Sequence, residues 1–472
     1  MKPRSAVPGR GCRTIASTTL LLAAWWSCGG AGVAAAQQPS AMVPVLAAPG
    51  PGDAPNAAVR LTLPDAVARA MEASHRLGEL RARGAGAEAA RDGRQAAKLP
   101  QVAIQAGYQR TAHVDEYAIP SPTGQPHVIY PDIPDNFRTR LDFQWPIYTA
   151  GRLDALARAA RAEVDASGKD LAAARNDLKL EVTRAFWAVV TARDAVRVVE
   201  NSLAIIDAHL RDVRNRQQAG LVPPNDVLST EAHRSRQHLL LIEARHAAES
   251  AAAEIRRLVG IDPDTPVEFD GALDQPAPPP AAAQALVDEA RNARPDRQSL
   301  ESRLAAVTAR RDAAKAGKRP VIGVAAGLDY ARPNPRIFPR EASWRTFWDA
   351  GVNVVWTFWD GGRVAADVAE ASASITGAEE RIKEFDSVLE IEVRQRLLDL
   401  DSAQASVVAA ADGIRAAAEA RRVVEERFKA GVAINTESLD AQQALLQAEL
   451  ERTRALANVR LAEARLERAL GR

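Results

Sequence analysis

The stretch Trp145-Pro146-Ile147-Tyr148-Thr149-Ala150-Gly151-Arg152 returns 211 residues later as Trp356-Thr357-Phe358-Trp359-Asp360-Gly361-Gly362-Arg363. The same offset relates Gly260 to Gly471, and no gap is needed between these points. Nearer the amino terminus the offset grows to 220 residues, because the first copy has a loop nine residues longer. A duplication this regular indicates two copies of one supersecondary unit.

The first 36 residues are predicted to be an export signal. A basic start is followed by an apolar run from Ile15 to Trp26 and by the small residues Ala34-Ala35-Ala36. Both cysteines, Cys12 and Cys28, lie in this segment, so the predicted mature chain has no thiol for a disulfide or a metal site. Lipidation of Cys28 stays open as an alternative.

The charge and hydropathy patterns exclude two classes of protein. The 61 basic and 60 acidic side chains are spread along the whole chain, whereas nucleic-acid binding needs a concentrated basic face. Beyond the signal there is no uninterrupted apolar run of about 18 residues, so no transmembrane helix is predicted. If the mature chain enters a membrane, it must do so as a closed β-barrel.

Segments rich in proline and alanine divide the mature chain. Residues 37–60 and 261–282 are predicted to be linkers. They separate a first repeat, 61–260, from a second repeat, 283–472.

Each repeat has the same order of elements: a helix, two strands, a long helix, a turn and a second helix. Apolar and polar residues alternate in the strands, and the helical stretches are rich in Ala, Arg, Glu and Leu. The first repeat is predicted to have helices at 63–99, 152–218 and 225–259, strands near 101–109 and 137–145, and a loop over 114–135. The second is predicted to have strands at 322–330 and 344–356 and helices at 363–429 and 436–470.

The lengths of these elements predict the architecture. At about 1.5 Å per residue the long helix extends roughly 100 Å, and the two shorter helices of a repeat match it when stacked end to end. Four strands in one chain cannot close a membrane barrel, which needs about eight or more, but three chains supply twelve. The fold class is therefore mainly α with a membrane β-barrel, formed by a duplicated helix-strand-strand-long helix-helix repeat.

Aromatic residues mark the strand regions as the membrane end. All five tyrosines and most tryptophans of the predicted mature chain fall in the strands and their loops, as in the aromatic girdles of barrels. Aromatic residues also favour strands in general. A soluble sheet with its polar face in water therefore remains an alternative.

These features resemble the TolC-type outer-membrane efflux proteins over residues 61–471. The resemblance rests on the order of the elements and on the strand-to-helix junctions, which contain Trp145, Pro146, Gly151, Trp356 and Gly362. It implies a homotrimer: a twelve-stranded barrel in the cell outer membrane that continues into an α-helical barrel in the periplasm. It also implies docking to a periplasmic adaptor and an inner-membrane transporter.

The resemblance also suggests a periplasmic gate. Acidic residues at matching positions form constricting rings in this family, and here they are Glu437 and Asp440, three apart on one helix face. A ring of carboxylates favours cations. The alternative is that the two side chains complement the helix dipole after a cap at Asn435 or Thr436.

The turns between the long and the second helices are predicted to be exposed tips. Apolar residues at an exposed turn indicate a contact site, for which the adaptor is the natural partner, although packing between neighbouring tips is an alternative. The residues concerned are Gly220, Leu221, Val222 and Asp226 in the first copy and Gly431, Val432 and Ile434 in the second.

No set of residues predicts catalysis, a metal site or a cofactor. The histidines at 209, 233, 238 and 246 are predicted to be solvated on helix surfaces, and the sequence has no phosphate-binding loop. The leading prediction is a passive outer-membrane export duct, for which the transporter supplies the energy. The alternative is a soluble periplasmic scaffold or adaptor.

Overall fold

The computed structural model describes residues 59–120, 122, 124, 126–274 and 282–472. The predicted signal segment lies outside the described residues, as do most of the segment 37–60 and residues 275–281. All the elements below belong to the unit Asn56–Arg472.

Both repeats contain the predicted order of elements, which is thereby confirmed, together with some short additional ones. In the first repeat these are β1 (Val59–Thr62), α1 (Leu63–Ala73), α2 (His75–Ala96), β2 (Gln101–Arg110), β3 (Tyr117–Ile119), β4 (His127–Tyr130), β5 (Asp135–Tyr148), α3 (Arg152–Gln218) and α4 (Pro224–Val259). They continue as β6 (Val267–Asp270), α5 (Ala283–Ala293), α6 (Pro295–Lys315), β7 (Val321–Arg332), β8 (Arg345–Val355), α7 (Arg363–Lys429) and α8 (Asn435–Leu470).

Two details at the start of the first repeat differ from the prediction. The single helix predicted over 63–99 is broken at Ser74, whose backbone is extended and whose hydroxyl accepts the amide of Leu77 at 3.3 Å, so that it caps α2. The predicted loop over 114–135 contains the short antiparallel pair β3 and β4.

The segments predicted as linkers also contain paired strands. Strand β1 lies parallel to β6, with Leu61 opposite Phe269. Leu61 and Val267 are buried in the largest hydrophobic cluster, which surrounds the fully buried Phe186 of α3. Burial of these apolar side chains stabilises the pairing of the two segments. Their proline-rich composition does not predict this pairing.

The remaining long strands form one antiparallel sheet in the order β2-β5-β7-β8. Along one row of the register, Ile104 lies opposite Leu141, Leu141 opposite Leu328, and Leu328 opposite Trp348. All four of these side chains are exposed on the apolar face of the sheet. Strands β2 and β8 each have only one partner among the described residues, so both edges of the sheet are open.

The opposite, polar face of the sheet is connected by Arg140. From β5 its guanidinium donates to Asp142 at 2.7 Å, to Asp349 on β8 at 2.9 Å, and to the fully buried Asp329 on β7. Gly327 makes this reach feasible, because a Cβ at that position would lie 2.5 Å from the guanidinium carbon. One side chain therefore joins strands of both repeats.

The helices lie side by side in a fixed order. Near the turns that end the long helices, α3 packs between α4 and α8, and α8 packs on α7; near the sheet, α3 lies between α2 and α6, and α6 packs on α7. In the sheet and in both helical layers, the elements of the first repeat therefore lie on one side and those of the second repeat on the other. None of the helices in the described part of the chain is long and apolar enough to cross a membrane.

The corresponding helices of the two repeats are equal in length. Helices α3 and α7 have 67 residues each, and α4 and α8 have 36 each. All four end at a glycine with a positive φ, namely Gly220, Gly260, Gly431 and Gly471. Because this backbone conformation strains other residues, the glycines fix where each helix stops.

Candidate gate and docking site at the helix tips

The two turns that join each long helix to its second helix have the same geometry. Gly220 and Gly431 adopt φ values of 75° and 73°. The amide of the following residue donates to a carbonyl in the last helical turn, at 2.9 Å in the first copy and 2.8 Å in the second. This is the Schellman arrangement, which satisfies helix-end carbonyls and reverses the chain in few residues. We refer to these turns as the tips.

The buried side chain of Asn435 ties the two tips together. Its amide nitrogen donates to the carbonyl of Asp226 at 3.2 Å, to Thr230 Oγ1 at 3.1 Å and to Ser229 Oγ at 3.2 Å. Its amide oxygen lies 2.8 Å from Nε2 of His209. Buried polar groups need such partners, so separating the tips would leave several of these groups unpaired.

A small apolar cluster lies beneath the tips, centred on Phe428. Arg216 stacks over its ring at 4.7 Å and donates to its carbonyl at 3.0 Å, and the ring of His209 lies 5.1 Å away. The cluster is completed by Val213 and Ala433, with Val222, Val227 and Val424 packed against it. The contact between the repeats at this end is thus partly apolar and partly polar.

The predicted gate residues lie just beyond the second tip. Asp440 is exposed, and Glu437 is half-buried with its carboxylate 3.5 Å from the guanidinium of Arg427. The predicted cap at Asn435 or Thr436 is wrong: Ile434 occupies the cap position of α8 without a side-chain hydrogen bond. Asn435 instead uses its side chain to hold the first repeat.

The predicted docking residues divide into an outward and an inward set. Leu221, Val432 and Ile434 are 73%, 68% and 65% exposed. Val222 is half-buried against the Phe428 cluster, where the sequence predicts exposure, and Asp226 is half-buried with its carbonyl bonded to Asn435. Three large apolar side chains are therefore exposed at the tips.

The prediction of solvated histidines is wrong for two of the four. His233 is buried on α4, and His209 is half-buried and bonded to Asn435, whereas His238 and His246 are exposed. The spacing of His233 from Thr230 and Gln237, three and four residues away on the same helix face, is a signal that could have indicated a shared buried stripe.

The strand-to-helix junctions are alike in both repeats at their tryptophans. The indole nitrogen of Trp145 donates to the carbonyl of Lys98 at 3.1 Å, and that of Trp356 donates to the carbonyl of Lys318 at 3.2 Å. Each tryptophan thereby fastens the end of the second strand to the end of the helix before the first strand.

Glycine and proline shape the chain beyond these tryptophans. Gly151 and Gly362 begin the long helices in the left-handed conformation, with φ values of 81° and 90°. In β5 the pairing register shifts between Pro146 and Tyr148, because proline has no amide hydrogen to donate to the ladder. The junction residues therefore turn the chain from sheet to helix.

Within the described ranges, no group of three or more His, Cys, Asp or Glu side chains is arranged to hold a metal ion. The arrangement at the tips offers carboxylates, apolar side chains and a network that ties two hairpins together. Such a set can bind a partner and restrict a passage.

Comparison with known proteins identifies the family. The family model described as outer membrane efflux protein matches residues 66–261 and 286–472, one segment in each repeat. The chain belongs to the outer membrane efflux protein family. As an outer membrane efflux protein it is the outer-membrane channel component of a tripartite efflux or secretion system, and it extends from the outer membrane into the periplasm.

Relatives of this outer membrane efflux protein agree with the assignment. It is 27% identical over 329 residues to protein CyaE of Bordetella pertussis, covering 66% of this chain and 68% of that one. It is 28% identical over 323 residues to the outer membrane efflux protein BepC of Brucella suis, covering 66% and 67% of the two chains.

The fold of this outer membrane efflux protein is also found among solved structures. The CmeC outer membrane channel of Campylobacter jejuni superposes with a TM-score of 0.73 at 17% identity, covering 87% of this chain and 85% of that one. The family and the fold are those of channel proteins. They decide between the two alternatives left by the sequence in favour of the duct over the soluble scaffold.

Proposed function

We propose that the duct is a homotrimer whose three four-stranded sheets close into one twelve-stranded barrel. The observation that carries this proposal is that every layer in the described part of the chain ends in two open edges. The sheet ends at β2 and β8, the helices near the sheet end at α2 and α7, and those near the tips end at α4 and α7. An edge that meets the opposite edge of the next copy generates a ring.

Apolar residues on the outer helices support the same closure. Helix α4 exposes Leu239 and Ile242, and helix α7 exposes Ile391, Leu398 and Val408. Nothing in the residues that the structure describes for one chain covers these aliphatic side chains, and a second copy beside each edge would bury them. The twelve strands satisfy the requirement that a membrane barrel has no free edge.

The apolar face of the sheet has the height of a membrane. Phe137, near one end of β5, contacts Tyr108 and Trp344, and Trp145 lies near the other end. Eight residues separate Phe137 from Trp145, or about 26 Å of extended strand. With the strand tilt of about 35–45° found in outer-membrane barrels, this length spans about 20 Å along the membrane normal, close to the apolar band of about 25 Å between their aromatic girdles.

The trimer is tested by the mass of the detergent-extracted protein. We expect native mass spectrometry to give three chains for the wild type, and a reduced trimer fraction for Leu398→Asp, because the new carboxylate would be buried between copies. Val114→Asp, which alters an exposed aliphatic residue in the loop after β2, is the matched control and should remain trimeric. A wild-type protein that is monomeric in detergent and in lipid would contradict the proposal.

We further propose that the tips bind the periplasmic adaptor, with which proteins of this family work. Leu221 and Ile434 are exposed apolar side chains, one at each of the two turns. Exchange of both for aspartate should reduce the adaptor recovered by cross-linking in the native cell about 30-fold, since each of the two lost apolar contacts is worth about 1 kcal/mol. Val114→Asp again serves as control, and equal recovery from a tip variant that remains trimeric would show that docking uses another surface.

We also propose that Glu437 and Asp440 constrict the periplasmic mouth. Asp440 is exposed and Glu437 lies on the same face of α8, so three copies would present six carboxylates around the opening. The ion pair between Glu437 and Arg427 of α7 would also hold the tip of the second repeat in its closed arrangement. Only the second repeat has two acidic residues at these positions, because Ser229 of the first repeat stands where the second has Asp440.

A further inference from the structure

Above the tips, the buried faces of α4 and α8 have matching polar stripes. Both stripes follow the spacing of three and then four residues, which places their members on one side of a helix. None of the six side chains is more than 8% exposed. They are Thr230, His233 and Gln237 on α4, and Asn435, Ser438 and Gln442 on α8. We call these six residues the polar layer.

The polar layer interrupts an otherwise apolar contact among α3, α4 and α8. On one side lies the cluster of Val199, Leu241 and Leu446, and on the other side lies the Phe428 cluster. The layer occupies two helical turns, or about 10 Å. Polar residues at the contact positions of packed helices lower the stability of the contact.

Several groups in the polar layer have no hydrogen-bond partner in the described part of the chain. These are Nε2 of His233, the amide nitrogen Nε2 of Gln237 and the amide oxygen Oε1 of Gln442. A buried polar atom without a partner costs about 1–3 kcal/mol, which is recovered when the atom reaches water. The polar layer is therefore the part of this contact that gains most from being opened.

His233 is the titratable side chain of the six in the polar layer. Arg236 of the same helix donates to its Nδ1 at 3.3 Å, so the neutral ring has its hydrogen on the unpaired Nε2. The other charged or titratable groups that face it are His209 on α3 and Asp440 on α8. A second proton would go to Nδ1, where it would oppose the guanidinium of Arg236.

The pKa of His233 follows from these surroundings. Burial lowers the pKa of the imidazole below its usual value; Arg236 lowers it further, Asp440 opposes the shift and His209 adds to it. In a separated, hydrated layer the ring would return towards its ordinary pKa of about 6.5. The separated state thus binds the proton more readily than the packed state, and the packed state loses stability as the pH falls below about 6.5.

We propose that the polar layer is a proton-sensitive contact, which loosens the packing of α4 and α8 beside α3 when His233 is protonated and so opens the tips in acid. The inference rests on the proposed function of the tips as the periplasmic mouth. Because one proton per chain is involved, the ratio of open to closed tips can rise at most about tenfold per chain for each pH unit. The carboxylate of Asp440, which is exposed, would be a partner for the charged ring once the layer is hydrated.

Channel recordings in planar bilayers test the proposal. We expect the mean conductance of the wild type to rise several-fold from pH 7.5 to pH 5.5, and His233→Gln, which cannot take up the proton, to lose most of this rise. His238→Gln is the matched control, because this exposed histidine lies five residues further along α4. An unchanged pH response in the His233 variant, or no response in the wild type, would overturn the inference.

A second measurement does not depend on conductance or on a folded variant. Deuterium exchange at the imidazole C2 position, followed by mass spectrometry of the wild type, reports the titration of each histidine. His233 should exchange more slowly than His238 and titrate at lower pH, and equal profiles would overturn the inference. A protein that forms no channel at any pH would contradict the proposed function, and the exchange profiles would still decide the inference.

Discussion

Exchange of both Glu437 and Asp440 for alanine is expected to raise the conductance of the channel and to weaken its preference for cations. Three copies would lose six carboxylates at the mouth, together with the ion pair from Glu437 to Arg427. A loss of about 1 kcal/mol in the attraction of a cation, which corresponds to unit charges about 4 Å apart in water, changes a permeability ratio about fivefold. Reversal potentials in a salt gradient and single-channel conductance measure the two effects.

The control for this experiment removes the same charge elsewhere. Glu379 and Glu380 are exposed on α7, about 75 Å along the helix from the tip. Their double exchange for alanine should leave conductance and selectivity unchanged. If the gate variant behaves like this control, Glu437 and Asp440 only complement the dipole of α8, and the gate assignment is removed.

The second large effect is expected in the sheet, for Arg140→Ala. The variant leaves the carboxylates of Asp142 and Asp349 without this guanidinium, and the buried Asp329 with Arg138 as its remaining partner. Hydrogen bonds to charged groups contribute about 1.5–3 kcal/mol, and we expect a loss of about that size because Arg138 still neutralises Asp329. We expect urea unfolding in detergent to show this loss, and the yield of folded protein in outer membranes to fall with it.

Two further variants sharpen the test of Arg140. Arg345→Ala breaks only an exposed pair with Glu341 and should cost at most about 1 kcal/mol. Gly327→Val keeps every charge and displaces the Arg140 guanidinium, so it should give an intermediate loss. Equal stability of the Arg140 and Arg345 variants would show that the polar face does not depend on this side chain.

The sequence predicts the long elements well for identifiable reasons. The bounds of α3 and α7 coincide with the predicted ones because a glycine stands at each end, in the junctions at Gly151 and Gly362 and in the tips at Gly220 and Gly431. The duplication adds a second, independent view of each boundary. Alternation in the strands likewise predicts which face of the sheet is apolar.

What the sequence does not predict depends on contacts between distant residues. The break at Ser74 is a local cap in a stretch whose composition is helical throughout. Asn435 has the chemistry of a helix cap, and only its distance from Thr230 and His209 shows that it binds the other repeat. The burial of His233 depends in the same way on the packing of α4 within the bundle.

The equal lengths of the two hairpins restrict how this architecture can be extended. A heptad inserted into α3 and α4 alone would move the first tip about 10 Å past the second, and Asn435 would lose every group that it binds. Insertions in α7 and α8 have the same effect in reverse. Ducts of other lengths can therefore be engineered from this chain by lengthening or shortening all four helices together, with one heptad per helix as the natural increment.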